Sequence, residues 1–496
     1  MAKSIMFQGT GSSVGKSIIC AAMCRILHQD GFKTAPFKAQ NMALNSFITR
    51  DGGEMGRAQV VQAEAAGIEP MVEMNPVLLK PTSHVGSQII VNGRVHSNMK
   101  AGEYYERKAF LREAVMNSYS KLDSMFDVIV LEGAGSPAEI NLRENDIVNM
   151  GMAEMSDSPV VLVGDIDKGG VFAAIYGTYM LLEPKERARI KGYIINKFRG
   201  DVELLKPGID MFRERLDLPC LGVVPYMDIN IDDEDSVSER LRIRSGGGLK
   251  IGVVRLPYMS NFTDFTPLEF ESGVSVSYAS VPDELRDSDL VIIPGSKNTI
   301  HDMKWVFNSG MDRAIYSLHR QGVPVIGICG GYQILGMEIL DPDGVESSEP
   351  RINGLGLLDS VTVMQGEKRT IQSKGTISCE RGMLEGLKGL QVEGYEIHMG
   401  STSISEGEKQ AIGLEDGMGD GAISADGSVF GTYLHGIFEN DAFRGALLLN
   451  IRSIRGIEQE ESELSYQQLK ELEYDKLADG VRKSLDMQAV MNIIGL

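Results

Sequence analysis

Two residues on the ends of apolar runs set up a nucleophile and its base. The run Val323-Pro-Val-Ile-Gly-Ile ends in Cys329, followed at once by Gly330, Gly331 and a helix-forming stretch. A strand–turn–helix elbow of this kind lifts a nucleophile above a sheet and leaves neighbouring backbone N–H groups free for an oxyanion. A second apolar run, Gly431-Thr-Tyr-Leu, ends in His435 about a hundred residues later. A cysteine and a distant histidine on strand ends are the minimal pair for thiolate chemistry, so Cys329 reads as a nucleophile and His435 as its base. The alternative is a buried structural thiol, since free cysteine commonly packs as a small hydrophobe. The histidine turns the balance.

A different chemistry opens the chain. Gly9-Thr-Gly-Ser-Ser-Val-Gly-Lys-Ser17 joins a short apolar run to a helical stretch. Backbone N–H groups of such a loop, with the helix N-terminus behind them, converge on phosphate oxygens. Gly9, Thr10, Gly11, Ser13, Val14 and Gly15 form the cradle, Lys16 neutralises the β/γ-phosphates, and the Ser17 hydroxyl faces magnesium. The spacing departs from the strict phosphate-loop pattern, because Thr10 stands five places before Gly15. Further on, Asp127-Val-Ile-Val-Leu ends in Glu132 before Gly133. An acid there holds magnesium directly or through water, or else serves as a turn or helix-cap carboxylate.

The elements that must carry these residues follow from the apolar pattern. Ser4–Gln8, Asp127–Leu131, Pro159–Gly164, Gly192–Asn196 and Cys220–Val224 are nearly continuous in hydrophobics, with amphipathic stretches between them. That alternation predicts an α/β fold with a parallel sheet covered by helices. An acidic run from Ile231 ending in Gly246-Gly-Gly248 reads as a surface linker. The rhythm then restarts with Ile251–Leu256, Leu290–Pro294, Val323–Ile328 and Ser428–Thr432. Four parts are expected: a phosphate-loop domain over 1–235, a linker over 236–249, a second α/β domain over 250–445, and a helical segment over 446–496.

Bulk properties exclude several classes. With 496 residues, 43% hydrophobic and 24% charged, the chain is ordinary globular protein of two or three domains. A formal charge of −20 argues against nucleic acid and anionic membranes as partners. Five cysteines without paired spacing, no secretory leader pattern and no membrane-length apolar run point to the cytoplasm. The 26 methionines are scattered and read as core filler. His28, His84, His96, His301 and His319 are unclustered, which argues against zinc.

With these residues in view, a family resemblance stands out. The Gly9–Ser17 loop resembles the dethiobiotin-synthetase type of phosphate loop. Cys329 and His435 resemble the nucleophile and base of class I glutamine amidotransferases of the cobyric/cobyrinic branch. Phe37–Asn45, Leu79–Ser83, Glu132–Asn141, Val163–Gly170, Asn196–Gly200 and Pro294–Thr299 are similar, in order, to segments of the cobyric acid synthase family. The resemblance implies a phosphate-loop domain followed by an amidotransferase domain. It implies glutamine hydrolysis at Cys329 and ATP- and Mg2+-dependent amidation of several carboxylates of adenosylcobyrinic acid a,c-diamide, a corrinoid. A related enzyme amidating the a and c carboxylates of cobyrinic acid is the near alternative. A phosphate-loop ATPase switch with a non-catalytic amidotransferase-like domain is the distant one.

It also assigns roles. Lys38, after a second strand, faces the ATP γ-phosphate, and Glu54 is a candidate second magnesium ligand, although a helix-start carboxylate is equally natural there. Gly295 joins Gly330 as an oxyanion-hole donor. His398, in Tyr395-Glu-Ile-His-Met-Gly400, reads as structural, and Asp165 and Asp167 are open between phosphate, metal and adenine. Full-triad amidotransferases carry a glutamate two residues after the histidine, where this chain has Ile437. The orienting role is then absent or falls to another group, such as Glu439 or a backbone carbonyl.

Overall fold

The computed structural model describes residues 1–81, 86–100, 108–143, 146–231, 248–458 and 464–496. The linker expected over 236–249 lies outside them except for its last two residues, as do Thr82, Ser83 and His84. The chain divides into two compact units. One comprises 1–43, 54–234 and 470–496, and the other 44–53 and 235–469.

The first unit is built on a six-stranded sheet in the order Cys220–Pro225, Ile190–Phe198, Val160–Asp165, Lys3–Gly9, Val128–Glu132, Thr34–Phe37. Every pairing is parallel, and strands such as Val128–Glu132 and Val160–Asp165 are buried at every position. That is why their sequences are continuous hydrophobic runs without alternation. Lys3–Gly9 lies between a strand from each half of the sheet, and the loop after it opens at the carboxyl edge where ligands bind in such sheets. A small mixed sheet of Gln40–Met42, Val77–Pro81, Gly86–Val91 and Arg94–Lys100 adds to this unit.

The last helices of the chain belong to the first unit from Lys470 onward. Tyr474, Leu477, Val481, Val490 and Ile494 share a buried core with Ile19, Met23 and Leu27 of the helix Lys16–Gln29. Fully burying an aliphatic or aromatic side chain is worth about 1.5–3 kcal/mol, so this packing is a substantial part of the unit's stability. Polar contacts fix its register: Arg25 pairs with Glu471 and Asp475, each at 2.8 Å, and Tyr474 donates to Glu64 at 2.7 Å.

The second unit contains a sheet that changes character along its width. Val274–Ala279, Leu249–Val254, Leu290–Ile293, Val325–Ile328 and Val429–Thr432 are parallel neighbours in that order. Beyond Val429–Thr432 the pairing is largely antiparallel, through Gly419–Ile423 and Lys409–Leu414 to the long pair Ser360–Ile377 and Gln391–Ile404. In the register Ile328 faces Thr432, so Cys329 and His435 leave the carboxyl ends of adjacent strands.

Candidate active sites in the two units

Cys329 sits at the junction between the strand Val325–Ile328 and the helix Gly330–Leu335 with φ 51° and ψ −107°. A non-glycine residue in this region carries backbone strain, a feature concentrated at functional turns. The bond from its N–H to Thr432 O at 2.8 Å, and that from Gln333 N–H to its carbonyl at 3.2 Å, hold the elbow in place. No side chain is tolerated beside it: a Cβ on Gly330 would lie 2.8 Å from the Ser296 backbone nitrogen. The Gly295–Ser296 backbone therefore passes directly alongside the Cys329 turn. Asp302 shapes that loop, accepting from Ser296 Oγ at 2.6 Å and Tyr258 N–H at 3.1 Å. Burial pushes the Asp302 carboxyl up to about 7, against the lowering effect of those two donors.

His435 is 1% exposed, and the Cys329 sulfur is close enough to act on its charge. Its Nδ1 lies 2.6 Å from Asp264 Oδ2, while Asp264 Oδ1 accepts from Gly436 N–H at 3.0 Å. The partner of the imidazole is thus a carboxylate 171 residues upstream, neither Glu439 nor a backbone carbonyl. Burial alone would lower the imidazole's pKa, but Asp264 and the Cys329 thiol outweigh it and raise it to about 10. Asp420 anchors the approach to His435 by accepting from Tyr433 N–H at 2.9 Å and from the Thr432 hydroxyl. Its own carboxyl is pushed up to about 6 by burial.

Tyr395 and His398 come from the strand Gln391–Ile404. Tyr395 stacks on the His435 ring, with centroids 5.3 Å apart and planes 18° from parallel. The two residues also exchange backbone hydrogen bonds of 3.1 and 2.9 Å. His398 Nδ1 lies 2.8 Å from Gly400 O and its Nε2 3.1 Å from Glu396, and its ring stacks on Tyr433 at 3.8 Å. Glu396 is drawn down to about 2 by His398, Arg369 and Ser373 despite its burial. The Cys329 thiol, 3.6 Å from Ile397 O, faces this strand.

In the first unit the loop after Lys3–Gly9 wraps the start of the helix Lys16–Gln29. Gly15 has φ 93°, and a Cβ there would come within 2.1 Å of Asn196 Nδ2. Asn196 donates to Val14 O at 2.9 Å and Lys197 to Ser13 O at 2.7 Å, so the Asn196–Gly200 segment braces the loop. Thr10 N–H bonds Val163 O at 3.0 Å, and Lys16 Nζ reaches Gly11 O at 3.0 Å and Gly135 O at 3.2 Å. Asp165 approaches Lys197 at 3.3 Å, and Asp167 pairs with Arg199 at 3.0 Å.

Glu132 is the hub of this site. Its carboxylate accepts from Ser17 Oγ at 2.9 Å, Lys38 Nζ at 2.9 Å and Gln62 Nε2 at 2.6 Å. Lys38 and Glu132 are both buried, so their attraction is little screened by solvent. Glu54, equally buried, forms an ion pair with Lys80 at 2.8 Å. The hard oxygens of Ser17 and Glu132, adjacent at the helix start, form a donor set of the kind Mg2+ takes.

Residues 250–443 match the family of CobB/CobQ-like glutamine amidotransferase domains, and residues 5–236 the family of CobQ/CobB/MinD/ParA nucleotide binding domains. The whole chain is 52% identical to a cobyric acid synthase of Lachnoclostridium phytofermentans, which it covers to 99%. One from a Thermoanaerobacter species is 51% identical, with 100% of this chain and 99% of that protein covered. The chain belongs to the cobyric acid synthase family. A solved glutamine amidotransferase, 18% identical, covers 41% of this chain and 98% of its own at a TM-score of 0.32, and adds nothing to the assignment.

Within this family member, sequence reasoning missed Asp264, Gln62, Lys80 and Tyr395 as partners of site residues. Asp264 lies in an unremarkable Phe262-Thr-Asp-Phe265 run far from His435 in the chain. Tyr395 did carry a signal, standing three residues before His398 in a stretch already singled out.

Proposed function

We propose that the chain is a glutamine-hydrolysing, ATP-dependent amidoligase that converts adenosylcobyrinic acid a,c-diamide to adenosylcobyric acid. The observation that carries the substrate is the identity of about half, end to end, with proteins named cobyric acid synthase. The chemistry is supported by the two side-chain constellations.

In the second unit, Cys329 attacks the glutamine side-chain amide. The N–H groups of Gly295 and Gly330 receive the developing oxyanion. His435, oriented by Asp264, passes a proton to the leaving nitrogen, releasing ammonia and a glutamyl thioester. His435 then takes a proton from water as it attacks the thioester, giving glutamate and regenerating the thiol.

In the first unit, a corrinoid carboxylate attacks the ATP γ-phosphorus to give an acyl phosphate and ADP. Ammonia then displaces phosphate to give the amide, and the sequence repeats on further carboxylates. Gly9 to Gly15 cradle the triphosphate, while Lys16 and Lys38 neutralise charge on the transferring phosphoryl group. Ser17 and Glu132 would hold magnesium, which supplies charge neutralisation at the phosphates. Glu54, ion-paired with Lys80 as Glu132 is with Lys38, is the second candidate ligand. Among the described residues no helix is long and apolar enough to cross a membrane, and we place the enzyme in the cytoplasm with its ATP and glutamine.

The test is turnover of ATP and glutamine with three acceptors: none, cobyrinic acid, and its a,c-diamide. Amide formation only with the a,c-diamide supports the reading. Amidation of cobyrinic acid in its place would identify the a,c-diamide synthase, and ATP turnover indifferent to all three would identify a switch.

A further inference from the structure

Residues 44–53 belong to the second unit, although Ala43 before them and Glu54 after them belong to the first. This strap is seated by a closed ring of hydrogen bonds. Ser46 N–H donates to Asn261 Oδ1 at 3.3 Å, Asn261 Nδ2 donates to the Tyr395 hydroxyl at 3.1 Å, and that hydroxyl donates to Ser46 O at 3.2 Å. Asn45 Oδ1 accepts from Phe262 N–H at 3.1 Å, and Gln372 donates to Ile48 O. Asn45, Ser46, Asn261 and Tyr395 are each no more than 3% exposed. Phe47 meets the Tyr395 ring edge-on at 5.4 Å, and Ile48 is fully buried with Tyr395 and Ile397.

Both ends of this ring lead to His435. Tyr395 stacks on its imidazole and pairs with its backbone. Asn261, in the left-handed region at φ 53°, begins the turn Phe262–Phe265 that presents Asp264 to Nδ1. Two of the contacts that aim the imidazole, a ring face and a carboxylate, are therefore tied to Asn45 and Ser46.

We propose that Asn45, Ser46, Asn261 and Tyr395 are positioning residues for His435, and that the strap they seat makes glutamine hydrolysis depend on the state of the first unit. The covalent path is short: Asn45 lies seven residues along the chain from Lys38, the partner of Glu132. An unseated strap releases Asn261 and the Tyr395 hydroxyl together, and the imidazole loses its aim while Cys329 stays in place. The proposal rests on the glutamine-dependent amidation given above.

Tyr395→Phe keeps the ring and deletes only the hydroxyl that closes the hydrogen-bond ring, and Asn45→Ala deletes the second anchor. Glutaminase turnover of the full-length protein is measured with and without ATP plus the a,c-diamide, alongside synthesis from ammonium chloride and a melting curve. The wild type is expected to hydrolyse glutamine faster when ATP and acceptor are present. Each variant should lower the glutaminase kcat by about 10- to 100-fold, the scale of a misplaced catalytic group, and bring the stimulation close to one. KM for glutamine and ammonia-dependent synthesis should hold, and the pH profile of Cys329 alkylation should shift as the imidazole moves away.

Variants that keep the wild-type kcat and stimulation overturn the proposal. So does a wild type whose glutaminase ignores ATP and acceptor, or variants that lose synthesis from both nitrogen donors together with their melting transition. A wild type that makes no amide from glutamine at all would instead overturn the amidoligase reading.

Discussion

Asp264 Oδ2 lies 2.6 Å from Nδ1 of His435 and occupies the orienting position that the chain leaves vacant two residues after the histidine. The carboxylate also accepts from Gly436 N–H, so it is braced against the backbone that carries the imidazole. Asp264→Asn should therefore cost glutaminase turnover about 10²–10⁴-fold, with ammonia-dependent synthesis retained. Because Asp264 helps raise the imidazole to about 10, the alkaline limb of the glutaminase profile should move down toward neutrality in the variant. An unmoved limb with full activity would remove Asp264 from the mechanism.

The same raised value bears on stability. His435 goes from 6.5 when unfolded to about 10 when folded, so the folded protein holds the extra proton between those values. Its contribution is complete below about pH 6.5 and is lost as pH rises through about 10. Denaturant titrations of wild type and His435→Gln should thus differ in slope over that window, the wild type losing stability more steeply. Parallel curves would mean that the imidazole is not held charged in the folded state.

Cys329→Ser separates the two chemistries. The variant should lose glutamine-dependent synthesis and keep synthesis from ammonium salts, more so at higher pH where free ammonia is abundant. ATP consumption should then follow ammonia concentration. A folded variant inactive with both donors would show that the thiol does more than release ammonia.

Glu132→Gln removes the charge that meets Ser17, Lys38 and Gln62. It should depress ATP-dependent synthesis from either nitrogen source by at least about 10²-fold, as losing a preorganised electrostatic group does. Lys16→Ala should do the same. Covalent labelling of Cys329 by a glutamine analogue should survive both changes, and its loss would count against independent sites.

Much of this was legible from the chain because it is local. A buried parallel strand announces itself as a continuous apolar run, and a phosphate loop or nucleophile elbow is defined by residues within one strand–turn–helix. Lys3–Gly9, Val128–Glu132, Val325–Ile328 and Val429–Thr432 all lie where such runs predict them. The partners of those residues were not legible, because a hydrogen bond between positions 171 apart leaves no mark on either neighbourhood. Asp264 has no periodicity or spacing relative to His435. Only the folding of Phe262–Phe265 beside the carboxyl ends of the strands brings its carboxylate to the imidazole. The long antiparallel pair that supplies Tyr395 and His398 alternates in burial only in part, and so hides from a search for apolar runs. A helical segment at the end of the chain was legible, but the unit that it joins, like the unit that the strap at 44–53 joins, was not: a segment's unit is decided by which core buries it, a property of distant residues.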